Sequence, residues 1–291
     1  KNDKEFITPE LLLNDDLLIH FLRAGKLNIK KSVKMIIDAL KWKQQINLES
    51  IYSDFIFEEK YQVQYIYPHA FHKTTKNGYP VYIQMVGRLN PEELFKIASY
   101  DNIMKYTIQI YELMEREIFP QCSKAANKYI HGVFTIIDFK GIGRSILNKN
   151  FLFYLKENAK IGQEYFPEGI EGCFVLNAGL VFRVLYSTCK IFIDSRNREK
   201  INVYGDVYES DLLKIVDKQN LPTFLGGECL CPEGCMFSYE GPWKKGNENQ
   251  GLSDEILKKR QEVNDILLQE KLQMSQEVQM KEKDNVVING S

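Results

Sequence analysis

At 291 residues the chain is long enough to bury a sizeable core, as one large domain or two small ones. Its 38 Lys and Arg nearly cancel its 39 Asp and Glu, so no global field draws it to nucleic acid or to an anionic surface, and any such binding must come from a local patch. Apolar content of 44% is ordinary for a globular protein, and no apolar run reaches the ~18 residues of a membrane span.

The opening stretch, KNDKEFITPE, lacks the apolar core of a signal peptide. Six scattered Cys, of which only Cys229, Cys231 and Cys235 cluster, point to a reduced, cytoplasmic setting. Three cysteines at irregular spacing are a weak metal motif, one ligand short, and no metal site is expected from them. The 17 Phe and 16 Tyr suit either a bulky core or the walls of a ligand cavity.

Residues 8 to about 66 read as helical. Thr8-Pro9-Glu10 is a helix start, and Asp15 and Asp16 open a helix with Leu17, Leu18, Phe21 and Leu22 on one face. Asn28 caps the next helix, whose spacing turns Val33, Ile36, Ile37, Leu40 and Trp42 towards a core. From Tyr67 strands alternate with helices. Asn77-Gly78 is a turn, and a strand follows over 80–86. Asn90-Pro91-Glu92-Glu93 opens a short helix, and a long helix over 101–119 is expected to stop at Pro120. Strands follow at 134–139, 174–176 and 201–204, so the pattern predicts an α/β protein with a mixed sheet and helices packed on it. A charged helix over 253–282 carries Ile256, Val263, Ile266, Leu267, Leu272 and Val278 at helical spacing. It is either a solvated tail or a helix that packs on the body or a partner.

Residues 177–193, NAGLVFRVLYSTCKIFI, do not fit a simple surface helix. Only Arg183 and Lys190 are charged, seven apart on one narrow stripe, while Leu180, Val181, Phe182, Val184, Leu185 and Phe192 are among the apolar rest. Such a segment is either fully buried or a lid between a cavity and lipid. Between Arg183 and Lys200 five basic residues (Arg183, Lys190, Arg196, Arg198, Lys200) outnumber two acidic ones (Asp194, Glu199), which suits a lipid phosphate or an anionic surface at about 1 kcal/mol per charge, or a solvated loop.

The pieces HFLRAGKLNIKKSVKMI, FHKTTKNGYPVYI, IIDFKGIG, YFPEGIEGCFVLNAG, FIDSRNREKI and LPTFLGGEC stand in an order that resembles the CRAL-TRIO lipid-binding family. The match is to its phosphatidylinositol/phosphatidylcholine transfer branch, over about residues 15–243. The resemblance implies an N-terminal helical region over 1–60, a lipid-binding domain over 61–243 with a sheet floor and a helical gate formed by residues 177–193, and a charged helical tail over 244–291. It implies that Glu168 accepts from inositol hydroxyls, that Lys200 and Lys26 face phosphate, and that Asn197 lies beside them, chemistry that charged donors and a carboxylate can supply. It places Tyr82, Tyr111 and Thr135, with Phe71 and Val133, around a second lipid, and a gate hinge at Gly226 and Gly227. Gly25, Gly169, Gly179 and Asn197 depart from the family's pattern, and Val133 and Phe71 stand where it carries Ser and Tyr, a loss of hydroxyls that weakens the phosphatidylcholine position.

The expected ligands are therefore phosphatidylinositol and, second, phosphatidylcholine. No other cofactor is implied, contact with Golgi or other endomembranes is transient and peripheral, and the chain acts as a monomer without nucleic acid. A sterol, tocopherol or retinoid carrier and a lipid-sensing adaptor are the alternatives. Catalysis is not expected: Asp138 with Gly141 and Gly143 fits no phosphate-loop spacing, and His20, His69, His72 and His131 form no nucleophile–base pattern.

Overall fold

The computed structural model describes residues 15–245, 257–267 and 269. The Thr8-Pro9 helix start and Ile256, Leu272 and Val278 lie outside these residues. The described residues begin with helices α1 (Asp15–Ala24), α2 (Ile29–Gln45), α3 (Leu48–Ser53) and α4 (Lys60–Ile66). Asn28 caps α2 as its type predicts, its side chain accepting from Lys31 N at 3.0 Å. Phe21, Ile36 and Ala39 form a small core with Leu17 and Tyr165, and the Trp42 ring stacks 4.0 Å from Tyr165. Val33, expected inward, is instead exposed, because the buried stripe of α2 runs through Ile36, Ile37 and Ala39.

Five strands follow: β1 (His69–Thr74), β2 (Pro80–Gln84), β3 (Val133–Asp138), β4 (Ile170–Leu176) and β5 (Ile201–Val203). They lie in the spatial order β1-β2-β3-β4-β5, with β1 antiparallel to β2 and every later pair parallel. The crossovers carry α5 (Pro91–Ile97), α6 (Tyr100–Leu113), α7 (Phe119–Ala126), α8 (Lys149–Glu164), α9 (Leu180–Cys189) and α10 (Ser195–Glu199). Strands met in sequence order by connections of one hand put their crossover helices on one face of the sheet. The other face is covered by α11 (Glu209–Ile215), the segment 221–237 and a C-terminal helix over 257–267.

Strand alternation separates two cores. Val81, Ile83, Phe134, Ile136, Phe174 and Leu176 point to the α11 side, where they meet Leu212, Met236, Val263 and Leu267. Tyr82, Thr135 and Cys173 point to the crossover helices. Val263 and Leu267 are each 1% exposed, so the described part of the tail helix is packed on the body. Its Arg260 guanidinium lies 4.9 Å from the Tyr61 ring and 5.1 Å from that of Phe237.

Pro120 does not stop the long helix. The chain passes from α6 through one π-helical turn (Met114–Ile118) into α7, with Pro120 in its first turn, where a missing N–H costs least. The segment 177–193 also breaks up. The α-helix ends at Cys189, a short tight turn spans Lys190–Phe192, and α10 follows. No helix among the described residues is long and apolar enough to cross a membrane.

Candidate functional site

The helix-covered face of the sheet encloses a cavity of about 370 Å³. Its floor is one cross-strand row, fixed by register: Phe71 pairs with Tyr82, Tyr82 with Thr135, Thr135 with Cys173, and Cys173 with Ile201. One wall is the α6 face of Ile103, Tyr106, Thr107, Ile110 and Tyr111, and a second is the α8 face of Phe151, Tyr154, Leu155, Asn158 and Gly162, both at helical spacing. Cys189, Phe192 and Ile193 close the gate side.

Few polar groups break this surface, and most are paired. His69 Nδ1 lies 2.8 Å from the Tyr67 carbonyl and its Nε2 3.3 Å from Tyr106 Oη. Tyr111 Oη donates to Asn158 Oδ1 at 3.0 Å, and Thr107 Oγ1 lies 3.1 Å from Tyr154 Oη. Burial lowers the His69 imidazole to about 4, so it is neutral at pH 7, and burial raises the Tyr106, Tyr111 and Tyr154 phenols. Apart from Glu168 the lining carries no formal charge and is largely aromatic or aliphatic, suited to hydrocarbon.

Charge appears at one end of the cavity. Glu168 lines it and follows Pro167 in a left-handed turn at φ 64°. Arg196 Nη1 donates to Glu168 Oε1 at 3.0 Å and also to the Arg23 carbonyl at 2.6 Å, so the ion pair ties α10 to the loop before β4 and the hydrogen bond to Arg23 ties it to α1. Asp194 caps α10, accepting from Arg196 N at 3.0 Å. Burial raises the Asp194 carboxyl, but the Arg196 N–H, the Arg196 charge and Lys26 outweigh it and hold it below the usual range. Asn197 lines the cavity at the same end. Lys200 Nζ donates to the Ile170 carbonyl at 2.6 Å, two residues beyond Glu168. Lys26 is exposed on the turn after α1, at φ 58°.

The fold therefore brings Glu168 and Asn197 into the lining, while Lys200 and Lys26 are not among the residues that line it. Tyr82, Tyr111, Thr135, Phe71 and Val133 all line the cavity. Phe71 and Val133 are also packed in an aromatic cluster with Trp243. Arg196, the partner of Glu168, was legible only as one of a run of basic residues. Gln163 was not singled out: it lines the cavity and its Nε2 donates to the Phe192 carbonyl at 2.8 Å, joining α8 to the gate.

The gate helix is half buried rather than buried all round. Phe182 and Leu185 pack inward, with Phe182 edge-on to Phe139 at 4.9 Å, and Val181 is partly covered. Leu180, Val184 and Ile191 face outward at 77%, 51% and 74% exposure, beside exposed Arg183 and Lys190. Asp138, on the end of β3, accepts from Asn177 Nδ2 at 2.6 Å and from Lys140 N at 2.9 Å, so it anchors the start of the gate. Gly226 and Gly227 sit in a closed turn. Gly226 has φ 95°, and a Cβ on Gly227 would lie 1.8 Å from the Leu221 carbonyl oxygen, so neither position admits another residue without rearrangement.

An apolar cavity floored by a mixed sheet, with a charged end and a half-buried helix beside it, suits a hydrophobic ligand with a polar head. The chain belongs to the CRAL/TRIO domain family, whose model matches residues 66–227. It is 35% identical to the Sec14 cytosolic factor of Schizosaccharomyces pombe, over 79% of this chain and 80% of that protein. It is 36% identical to the phosphatidylinositol/phosphatidylcholine transfer protein SFH9 of Arabidopsis thaliana, over 78% of this chain but only 39% of that longer protein. The crystal structure of Sfh5 superposes with a TM-score of 0.54 over 68% of this chain and 66% of that one, at 22% identity, a likeness of fold.

Proposed function

We propose that the chain encloses one phospholipid, chiefly phosphatidylinositol, in the cavity and exchanges it between membranes. The observation that carries this reading is an uncharged, hydrocarbon-lined cavity that ends at the Glu168–Arg196 ion pair. Exposing acyl chains to water costs about 0.8 kcal/mol per methylene, so a carrier must offer walls as apolar as the bilayer. Glu168 accepts from inositol hydroxyls, while Arg196, Lys200 and Lys26 supply cationic donors for the phosphate. Phosphatidylcholine is the second ligand, met by the aromatic faces of Tyr82 and Tyr111. No covalent bond changes in the exchange.

The outward Leu180, Val184 and Ile191, rimmed by Arg183 and Lys190, form the surface that meets the membrane. Gate motion hinges at the Gly226–Gly227 turn. The chain works as a cytoplasmic monomer, peripheral at Golgi or other endomembranes, and supports phosphoinositide supply and vesicle trafficking. The division into 1–60, 61–243 and 244–291 goes with this reading.

The test is phosphatidylinositol transfer between vesicles by the Glu168→Ala/Lys200→Ala variant. Losing charge-assisted hydrogen bonds of about 1.5–3 kcal/mol predicts a fall of roughly tenfold or more. Unchanged phosphatidylinositol transfer would refute the head-group assignment. Mass spectrometry of lipid extracted from the purified protein separates a phospholipid from a sterol, tocopherol or retinoid.

A further inference from the structure

On the opposite side of the sheet from the lipid cavity, the fold completes a ligand set that the sequence shows only in part. Cys229, Cys231 and Cys235 follow the Gly226–Gly227 turn, and β1 brings His72 to them from far upstream. One donor atom from each of the four lies within 4.8 Å of all the others. The Cys229 and Cys231 sulfurs are 3.7 Å apart. That is too long for a disulfide and close to the ~3.8 Å edge of a tetrahedron with metal–sulfur bonds of ~2.3 Å.

His72 is completely buried, yet its imidazole is poorly satisfied. Nδ1 has a long 3.4 Å contact with Ser238 Oγ, and Nε2 has no hydrogen-bond partner among the described residues. A buried polar group of this kind ordinarily has a partner, and a metal ion would provide one. Cys229 and Cys235 are buried too, and Cys231 is partly covered. Three thiolates around a divalent ion leave one negative charge, which Lys73, beside Cys229, offsets.

We propose that His72, Cys229, Cys231 and Cys235 bind one zinc ion as a closed structural site. Three sulfurs and one imidazole are a donor set that zinc takes tetrahedrally, and four protein ligands leave no open position for catalysis. The ion clips the 229–238 segment to β1. That segment in turn supports the C-terminal helix, since Asn264 Nδ2 donates to the Glu233 carbonyl at 3.2 Å and Arg260 lies over Phe237. The site is independent of the lipid reading, because its ligands do not line the cavity.

The test starts from the full chain, expressed with zinc and purified under reducing conditions without chelator. Elemental analysis is expected to give about one zinc per chain. Cobalt(II) substitution is expected to give the visible absorption of a tetrahedral thiolate site. Alkylation of Cys229, Cys231 and Cys235, followed by peptide mass spectrometry, is expected to be slow until a chelator is added, whereas Cys189 reacts equally in both states. Cys231→Ser should lose the metal, Cys189→Ser should keep it, and His72→Cys should keep it with an altered cobalt spectrum. Should a ligand variant fail to fold, zinc content and thiol protection in the unaltered chain still decide. The proposal is overturned by a metal-free chain whose three thiols react alike with and without chelator, by an iron–sulfur chromophore, or by a disulfide among the three cysteines.

Discussion

Glu168 shows what a single position does in this molecule. A non-glycine residue in the left-handed region is held there by its surroundings, here the end of the loop into β4 and the Arg196 guanidinium. Its carboxylate lines one end of an otherwise uncharged cavity. His69 is the complementary case, an imidazole kept neutral inside the cavity wall. Its folded pKa, lowered by burial to about 4, is below the unfolded value of about 6.5. The folded state therefore binds fewer protons between these values, and stability is full above about pH 6.5 and falls as pH drops towards 4. The loss at pH 4 is roughly 3 kcal/mol from this residue. Urea unfolding from pH 7 to 4 should show that slope, and His69→Gln, which keeps a hydrogen-bonding side chain, should flatten it. His20, also lowered to about 4 by burial and by His131, adds to the slope with the same sign.

At the scale of elements, α9 presents two different faces. Phe182 and Leu185 fasten α9 to the core below, and Leu180 and Val184 remain outside. A change on the outer face should leave the fold intact and weaken membrane contact. Leu180→Glu/Val184→Glu is expected to keep its melting temperature within about 2 °C, since surface substitutions stay near ±0.5 kcal/mol. Its sedimentation with anionic vesicles should fall several-fold, and unchanged sedimentation would remove this face from the membrane reading. Sequence periodicity identified the segment as unusual but could not choose between full burial and a lid, because an apolar stripe looks the same whichever surface covers it. The capping signals were read more securely. Asn28 and Asn90 cap the helices their positions suggested, since a side chain bonding a backbone N–H two or three residues on is a local event. Pro120 misled for a related reason: local rules forbid proline in a helix interior, but the π turn before it makes it a first-turn residue.

For the molecule as a whole, the sheet is a partition between a packed core and a cavity. The same strands serve both, with Ile83 and Ile136 completely buried on one side and Tyr82 and Thr135 lining the cavity on the other. Both faces carry a buried core, and on the α11 side the C-terminal helix closes it. Leu267→Ala should cost about 2–5 kcal/mol, read as a lower urea midpoint at unchanged slope, because that side chain fills the closed core. A loss under about 0.5 kcal/mol would mean the helix is only loosely applied to the body.

The sequence by itself determined the α/β alternation, the cap positions, the apolar gate segment and, through its ordered motifs, the family. These signals are local, written in side-chain period, in turn residues and in short strings that survive without their neighbours. Only the tertiary structure decided that Arg196 meets Glu168, that the tail helix buries Val263 and Leu267, and that His72 stands among three cysteines. Each of those joins residues distant in the chain, and such meetings depend on strand register and the path of connecting loops, which no local pattern encodes.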